Sequence, residues 1–276
     1  MMKLLSIESK KILPYKTFWI IIGLYFVFLA LGIIMAEYMV NSMVNDINKR
    51  MPIPLPHAAL YHFPDIWQNL TFFASIRYVL IFPAIIIIIL ITNEFANKTI
   101  RQNVINGMSK GEILGSKLLI ILILSFIITM ILGIVIYSLG IANTDMESFG
   151  MGFQRITFLL GFFIMMVTFL CIAFFFGFLL RNTGLAIALF ALYTLIIEPI
   201  LYFLLKAPFM PENKIYTYLP VNSVIRIVEY PSIPSLIKIM NFQVQDHVGL
   251  ISCLIPITYS VIMIGIVYLV MHRKDL

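Results

Sequence analysis

The chain has 276 residues, of which 61% are hydrophobic and 12% are charged, and its mean hydropathy is +1.01. Soluble globular domains are usually about 25% charged, so this chain has too few charged side chains to cover a water-soluble globule of its size. The composition excludes an ordinary soluble enzyme, a disordered chain and a secreted disulfide scaffold. The 19 Lys and Arg exceed the 13 Asp and Glu. These charges lie between apolar runs, so they indicate membrane topology rather than a nucleic-acid partner.

Six apolar runs are long enough to cross a bilayer, which takes about 20 residues each. Inside lipid every backbone polar group must be satisfied within its own segment, so each run is predicted to be helical. The predicted spans are Phe18–Met39, Ile76–Thr92, Leu118–Leu139, Ile156–Leu180, Leu185–Leu205 and Leu250–Met271. The sequence therefore predicts an all-α integral membrane protein with six transmembrane helices, in one membrane domain over residues 1–276.

The distribution of Lys and Arg predicts the orientation of these spans. With both termini in the cytoplasm, 11 of the basic residues lie inside and eight lie outside. The inside segments have about half the length of the outside ones, so basic residues are roughly threefold denser inside, as the positive-inside rule requires. The long outer segments are then 41–75 and 207–249.

Two segments outside the spans carry their own pattern. Residues 1–16 combine apolar side chains such as Leu4 with Lys10 and Lys11, which is typical of a short helix in the membrane interface. A plain basic leader that fixes topology explains the same residues equally well. Segment 207–249 is interrupted by prolines but is too apolar for a free linker, so it is predicted to form short helices against the membrane face.

The segment between spans two and three has the clearest local signals. Thr99 is predicted to cap a short helix over Ile100–Asn106, and Gly107 is predicted to end it. Ser109 has Glu112 three residues later, which is the pattern of a capping box at the start of span three. The prediction is a short cytoplasmic helix held between two long ones.

This segment resembles the coupling segment of ABC-2 type transporter permeases. In that family an acidic residue ends span two, a Thr and a short apolar–basic helix follow, then a small residue, a Ser and a basic residue, and a Lys opens span three. The matching residues are Glu94, Thr99, Arg101, Gly107, Ser109, Lys110 and Lys117. The six-span layout agrees over the whole chain, whereas the motif covers residues 94–117. The stretch after Thr99 departs from the family by containing less Leu and Pro.

The resemblance implies a permease subunit of an ATP-driven transporter, an exporter by the family's usual direction, in the bacterial cytoplasmic (inner) membrane. Each of two permeases, identical or related, would seat its coupling helix on a separate ABC ATPase subunit. The chain has no G-x-x-x-x-G-K-[ST] motif, so ATP and Mg are expected on that partner. No cofactor, metal or catalytic residue is expected on this chain. The sequence does not identify the transported substrate.

Glu198, beside Pro199 in span five, is a second candidate functional residue, because a carboxylate at membrane depth commonly marks a path or gate. Two alternatives are that it bonds backbone groups freed by the proline, or that it reaches the outer interface.

For the whole chain, the competing functions are an ATP-independent carrier, a non-transporting scaffold or signalling subunit, and a membrane-embedded enzyme. An enzyme would need clustered catalytic groups, and the spans offer only Glu198 with scattered Ser, Thr and Tyr.

Overall fold

The computed structural model describes residue 8 and residues 11–49, 60–144, 152–206, 215–233 and 245–273. Within these ranges the chain is helical and contains no β-strand. The helices are α1 (Lys16–Asn48), α2 (Ile66–Ala74), α3 (Arg77–Ala96), α4 (Thr99–Ile105), α5 (Lys110–Asn143), α6 (Thr157–Leu180), α7 (Thr183–Leu192), α8 (Glu198–Leu205), α9 (Pro220–Ile225) and α10 (Leu250–Arg273). A π-helical turn over Tyr193–Ile197 joins α7 to α8, and a 3₁₀ turn over Ile215–Tyr218 precedes α9.

Six helices are long and apolar enough to cross a membrane: α1, α3, α5, α6, α10 and the continuous unit from α7 to α8. The six predicted spans are therefore confirmed as helices, and the chain has the character of a multi-pass membrane protein. The largest departures from the predicted bounds are in α1, which has 33 residues, and in α5, which has 34. At 1.5 Å per residue each is about 50 Å long, well beyond a hydrocarbon core of about 30 Å. Their polar ends therefore project out of the apolar layer, where hydropathy alone does not detect them.

Helix α6 is the central helix of the bundle and packs against α3, α5 and α10. Its rings at Phe162 and Phe169 are fully buried, as expected for a helix that is apolar on every side. At Gly177 an added Cβ would lie 3.3 Å from the Cα of Ile88 in α3. The absence of a side chain there lets the two backbones approach closely.

The spans alternate in direction, so the bundle has two ends. We call one end the terminal face; it carries the start of α1, the end of α3, the start of α5 and the end of α10. Here α6 turns into α7 through Arg181, which adopts φ 54°, so the two helices are joined by a tight link. The hydroxyls of Thr92 and Thr183 lie 2.7 Å apart across the same end. The opposite end is called the distal face.

The distal face is covered by connecting segments that pack on the bundle. In α2 the indole of Trp67 donates to the Gly152 carbonyl at 2.6 Å. The guanidinium of Arg155 lies 2.5 Å from Asp65 and 3.0 Å from Asp246, so one side chain ties three connecting segments together. The short helices predicted for segment 207–249 are present in its described part as the 3₁₀ turn and α9.

Gly140 in α5 offers a direct test of this packing. An added Cβ would lie 2.6 and 2.7 Å from two ring carbons of Phe63, whose side chain is buried. Gly140→Ala is expected to lower the free energy of unfolding by about 1–3 kcal/mol, because the ring must move within a packed core. Thermal unfolding of the purified protein in detergent measures this change.

Gly32→Ala in α1 is the matched control, because nothing lies within 4 Å of its added Cβ. Alanine is the better helix former, so this variant is expected to be neutral or slightly stabilised. Equal unfolding temperatures for the two variants would contradict the packing between Gly140 and Phe63.

Candidate functional site

Helix α4 is enclosed by two residues in the left-handed region. Lys98 has φ 54° and Gly107 has φ 89°, so the chain turns sharply on both sides of a helix only seven residues long. The predicted end at Gly107 is confirmed, because the Gly107 amide bonds the Val104 carbonyl at 3.0 Å and the helical path stops there. Glycine adopts this conformation without the steric cost that a side chain brings.

The prediction that Thr99 caps this helix is wrong. Lys98 occupies the N-cap position, and the helix begins at Thr99 itself and ends at Ile105. The Thr99 hydroxyl instead donates to the Glu94 carbonyl at 3.2 Å. Because Lys98 has already left the path of α3, Thr99 is placed to bond backward and close the end of that helix.

The predicted capping box at the start of α5 is confirmed. The Ser109 hydroxyl accepts from the Glu112 amide at 3.2 Å, and the Glu112 carboxylate accepts from the Ser109 amide at 2.8 Å. The two residues satisfy each other's backbone donors at the first turn. This fixes where α5 begins, and therefore how the link from α4 enters it.

A group of four charged residues lies next to α4, where α3 ends and α5 begins, and three of the four are buried. We call Glu8, Lys11, Glu94 and Lys117 the basal cluster. The Lys117 ammonium lies 2.6 Å from Glu8 Oε1 and 2.5 Å from Glu94 Oε1, and its side chain is only 6% exposed. The Lys11 ammonium adds a contact of 3.1 Å to Glu94 Oε1. Two positive and two negative charges therefore compensate one another in a site mostly closed to water.

The basal cluster joins three parts of the chain. Glu94 is near the end of α3, Lys117 is in the second turn of α5, and Glu8 comes from the segment before α1. Burying charges is costly unless they are paired, and removing one partner leaves the others without compensation. The cluster therefore holds the two long helices in one arrangement at the base of α4.

The surface of α4 differs from its base. Ile100 is buried and anchors the helix to the bundle, whereas Arg101, Gln102 and Ile105 are exposed, Ile105 by 74%. The seven residues that resemble the coupling segment therefore have three different positions. Glu94 and Lys117 are buried ion-pair partners, and Thr99, Gly107 and Ser109 shape the backbone at the helix ends. Arg101 is exposed and Lys110 is partly exposed.

Glu198 lies near the distal face and is fully buried. Its carboxylate accepts from the Val221 amide at 3.0 Å and from the Asn222 amide by a shorter bond, so it caps the start of α9. The Tyr193 hydroxyl is a further partner. Backbone acceptance was one of the sequence alternatives, but the amides belong to α9 and not to the helix that the proline interrupts.

The π-helical turn before Glu198 follows from the next residue. Pro199 has no N–H, so a regular helix through it would lose one backbone bond. The wider turn over Tyr193–Ile197 absorbs this defect, and such turns often occur at functional positions. Arg77 of α3 donates to the Thr194 carbonyl at 3.0 Å inside the same turn.

Sequence reasoning missed two members of the basal cluster, Glu8 and Lys11. The available signal was an acidic residue inside an otherwise basic leading segment. Within the described ranges no group of three His, Cys, Asp or Glu side chains is arranged to hold a metal ion.

No protein-family model matches this chain, and no curated protein matches its sequence. The functional argument therefore depends on the chain's own geometry. Its two candidate sites are α4 with the basal cluster at the terminal face, and Glu198 with α9 near the distal face.

Proposed function

We propose that the chain is the membrane-spanning permease subunit of an ABC-2 type transporter, driven by a separate ATPase subunit that docks on α4. The observation that carries this proposal is a short exposed helix held between the ends of two spans on a buried ionic base. A loop that only fixed topology would need basic residues, but it would need neither the two left-handed turns nor the basal cluster.

The mechanical argument follows from the connections of α4. It is joined to α3 through Lys98 and to α5 through Gly107, and the pair of Glu94 with Lys117 ties those two helices together beneath it. A displacement of α4 would therefore move both spans as one body. Closure of the ATPase pair would bias the membrane helices between two arrangements in this way.

The exposed side chains of α4 suit a protein partner. Arg101 and Gln102 offer hydrogen-bond donors, and Ile105 offers an apolar contact at the end of the helix. Arg is enriched in protein interfaces, where it combines charge, hydrogen bonding and apolar contact. We therefore assign the docking contact to these three residues and keep Glu94 and Lys117 as internal braces.

Charge supports placing the terminal face in the cytoplasm, where ATP is available. The short connections and span ends at this face carry several of the basic residues: Lys98, Arg101, Lys110, Arg181 and Arg273. Such clustering close to span ends is what retains a loop on the inner side. In a bacterium this corresponds to the cytoplasmic membrane, with α2 and α9 on the outer side.

A second permease would complete the transporter, and export is the proposed direction. Only 17% of the apolar 18-residue stretch of α10 is buried within one chain, and the outward face of this helix is apolar. Lipid or a second permease would cover such a face. ATP and Mg would be bound by the ATPase subunits alone.

The direct test reverses the charge of Arg101. Arg101→Glu is expected to leave membrane insertion unchanged but to lower ATP hydrolysis by the purified complex by about tenfold or more, since a buried interface charge of the wrong sign costs several kcal/mol. The measurement is affinity purification of the tagged chain in mild detergent, with mass spectrometry of its partners and an ATPase assay. A stoichiometric partner with a P-loop is the expected companion.

Lys49→Glu is the matched control, because Lys49 is exposed and follows the distal end of α1. It should retain both the partner and the ATPase rate. Gly107→Pro is a second variant, since proline fixes φ near −65° and is incompatible with φ 89° at this position. The proposal fails if Arg101→Glu and Gly107→Pro both hydrolyse ATP at the wild-type rate, or if the chain purifies without any nucleotide-binding partner. Either result would favour an autonomous or scaffolding membrane subunit.

A further inference from the structure

The fifth span, which is the continuous unit from α7 to α8, is only weakly packed within the chain. Its most apolar stretch is 17% buried, so apolar packing alone gives it little hold on the bundle. Two hydrogen bonds join this span to α3, one near each end of α3. The hydroxyls of Thr92 and Thr183 meet at 2.7 Å at the terminal face. At the distal end of α3, the Arg77 guanidinium donates to the Thr194 carbonyl at 3.0 Å.

The Thr194 carbonyl needs this donor because of the proline that follows the π-helical turn. In such a turn each amide bonds the carbonyl five residues earlier, as the Glu198 amide does to the Tyr193 carbonyl. The next amide in this register would be that of residue 199, but Pro199 has no N–H. Thr194 is fully buried, and a buried carbonyl without a donor is costly. Arg77 therefore supplies, from another span, the bond that the proline removes.

Arg77 occupies a position where a cation is unfavourable for α3 itself. It is the first residue of that helix, and its charge opposes the partial positive charge of a helix N-terminus. Its side chain is also partly buried at the end of a span, which costs hydration. The contacts that offset these costs belong to the fifth span: the bond to the Thr194 carbonyl, and attraction to the Glu198 carboxylate.

The turn that Arg77 holds also places the carboxylate that caps α9. Glu198 follows the turn directly and accepts from the amides of Val221 and Asn222. Glu198 and Val221 are both fully buried where the two segments meet. A turn that moved away from α3 would take the carboxylate away from these amides. Helix α9 therefore covers Glu198 in the present register of the two spans.

We propose that Arg77, the π-helical turn and Glu198 form a latch, in which the register of α3 against the fifth span decides whether α9 stays closed over the Glu198 carboxylate. Arg77 is the positioning residue of this latch, and α9 is its lid. When the bond to Thr194 is lost, the turn relaxes, α9 separates from the span and the carboxylate becomes accessible from the distal side.

The latch belongs to the chain itself, so it does not require the proposed ATPase partner. If such a partner displaces α4, α3 would carry the displacement to the latch, because Glu94 and Arg77 lie near opposite ends of this one helix. The test below uses the chain alone, so its failure leaves the proposed function untouched, and absence of an ATPase leaves the latch untouched.

The test is hydrogen–deuterium exchange of the full-length chain in detergent, with Arg77→Met as the variant. Methionine is also unbranched but has no donors. Exchange in peptides covering residues 190–199 and 215–227 is expected to accelerate about tenfold, the ratio for loss of one hydrogen bond to a charged group. Peptides from α6 should keep the wild-type rate, because the latch opens locally. Arg273→Met, which removes an exposed arginine at the terminal face, is the control and should change neither peptide.

Two further variants separate a latch from a general loss of packing. Glu198→Ala should accelerate residues 215–227 but not 190–199, because Arg77 still holds the turn. Adding Arg77→Met to Glu198→Ala should then accelerate residues 215–227 by less than about twofold more, since both changes open the same lid. Pro199→Ala supplies the missing amide to the Thr194 carbonyl. In that background Arg77→Met should accelerate exchange by less than about twofold.

The latch is overturned if Arg77→Met exchanges at the wild-type rate in residues 190–199 or 215–227, or if the acceleration extends to α6. Equal acceleration by Arg77→Met with and without Pro199→Ala would overturn it too, because the carbonyl would then not be the atom that matters. If Arg77→Met does not fold, the double variant with Pro199→Ala should fold, since its Thr194 carbonyl has a donor. Failure of both to fold would contradict the latch.

Discussion

Lys117→Met is expected to lower the free energy of unfolding by about 3–5 kcal/mol, the range for removing one partner from a buried ion pair. The substitution keeps the length of the side chain but removes the buried cation that lies 2.6 Å from Glu8 Oε1 and 2.5 Å from Glu94 Oε1. The two carboxylates then share only the partly exposed Lys11 ammonium, at 3.8 and 3.1 Å. Two buried carboxylates would then have to take up a proton or open the site to water. Thermal unfolding in detergent, followed by gel filtration of the heated sample, measures the loss.

Lys11→Met provides the matched control because it removes the same chemical group from the same cluster. Lys11 contacts Glu94 at 3.1 Å but is 34% exposed, so water screens the pair and the expected loss is below about 1 kcal/mol. The double variant Glu94→Gln with Lys117→Met should recover part of the loss, since the two residues are directly coupled. If Lys117→Met and Lys11→Met unfold at the same temperature, the basal cluster is not a buried structural brace.

The spans and some of their ends could be predicted from sequence because the forces that determine them are local. A bilayer demands a continuous apolar helix whatever its neighbours are, and six such runs are visible. The capping box of Ser109 with Glu112 depends on residues three apart, so it too is visible. The extra length of α1 and α5 could not be predicted in this way, because polar helix ends outside the apolar layer resemble loops in a hydropathy profile.

The start of α4 was predicted wrongly because it depends on contacts with the rest of the bundle. Thr is a preferred N-cap residue, but the chain turns one residue earlier, at Lys98, in a left-handed conformation that a lysine seldom adopts. Nothing in the local sequence marks Lys98 for this role. The turn is imposed by the packing of Ile100 against the bundle and by the closure of α3 through Thr99.

The candidate site contains contacts that no local pattern specifies. Lys117 and Glu8 are separated by 109 residues along the chain, and Glu198 caps amides 23 and 24 residues away in another connecting segment. The motif resemblance assigned Glu94 and Lys117 to the segment that would couple to an ATPase, and the structure places both side chains in the buried basal cluster. Burial is a property of the assembled bundle, and here it makes them internal.

Glu198→Ala is expected to release α9 from the end of the fifth span. The carboxylate is fully buried and satisfies the amides of Val221 and Asn222. Each amide left without a partner costs about 1–3 kcal/mol, so the segment from the 3₁₀ turn through α9 should open locally or bind water. Hydrogen–deuterium exchange of peptides covering residues 215–227 is expected to accelerate by about tenfold or more, with little change in α6.

Glu229→Gln is the control for this prediction, because Glu229 lies in the same outer segment and pairs with Arg226 only three residues away at a half-exposed site. It should leave exchange at Val221 and Asn222 unchanged.

Glu198→Gln separates the capping role from a role in a gate or translocation path. It keeps one acceptor oxygen and the shape of the side chain, so docking of α9 should weaken only in part. If Glu198→Gln abolished activity while exchange in residues 215–227 stayed at the wild-type rate, the charge itself would be functional. Wild-type exchange in Glu198→Ala would show that α9 is held by its apolar contacts alone.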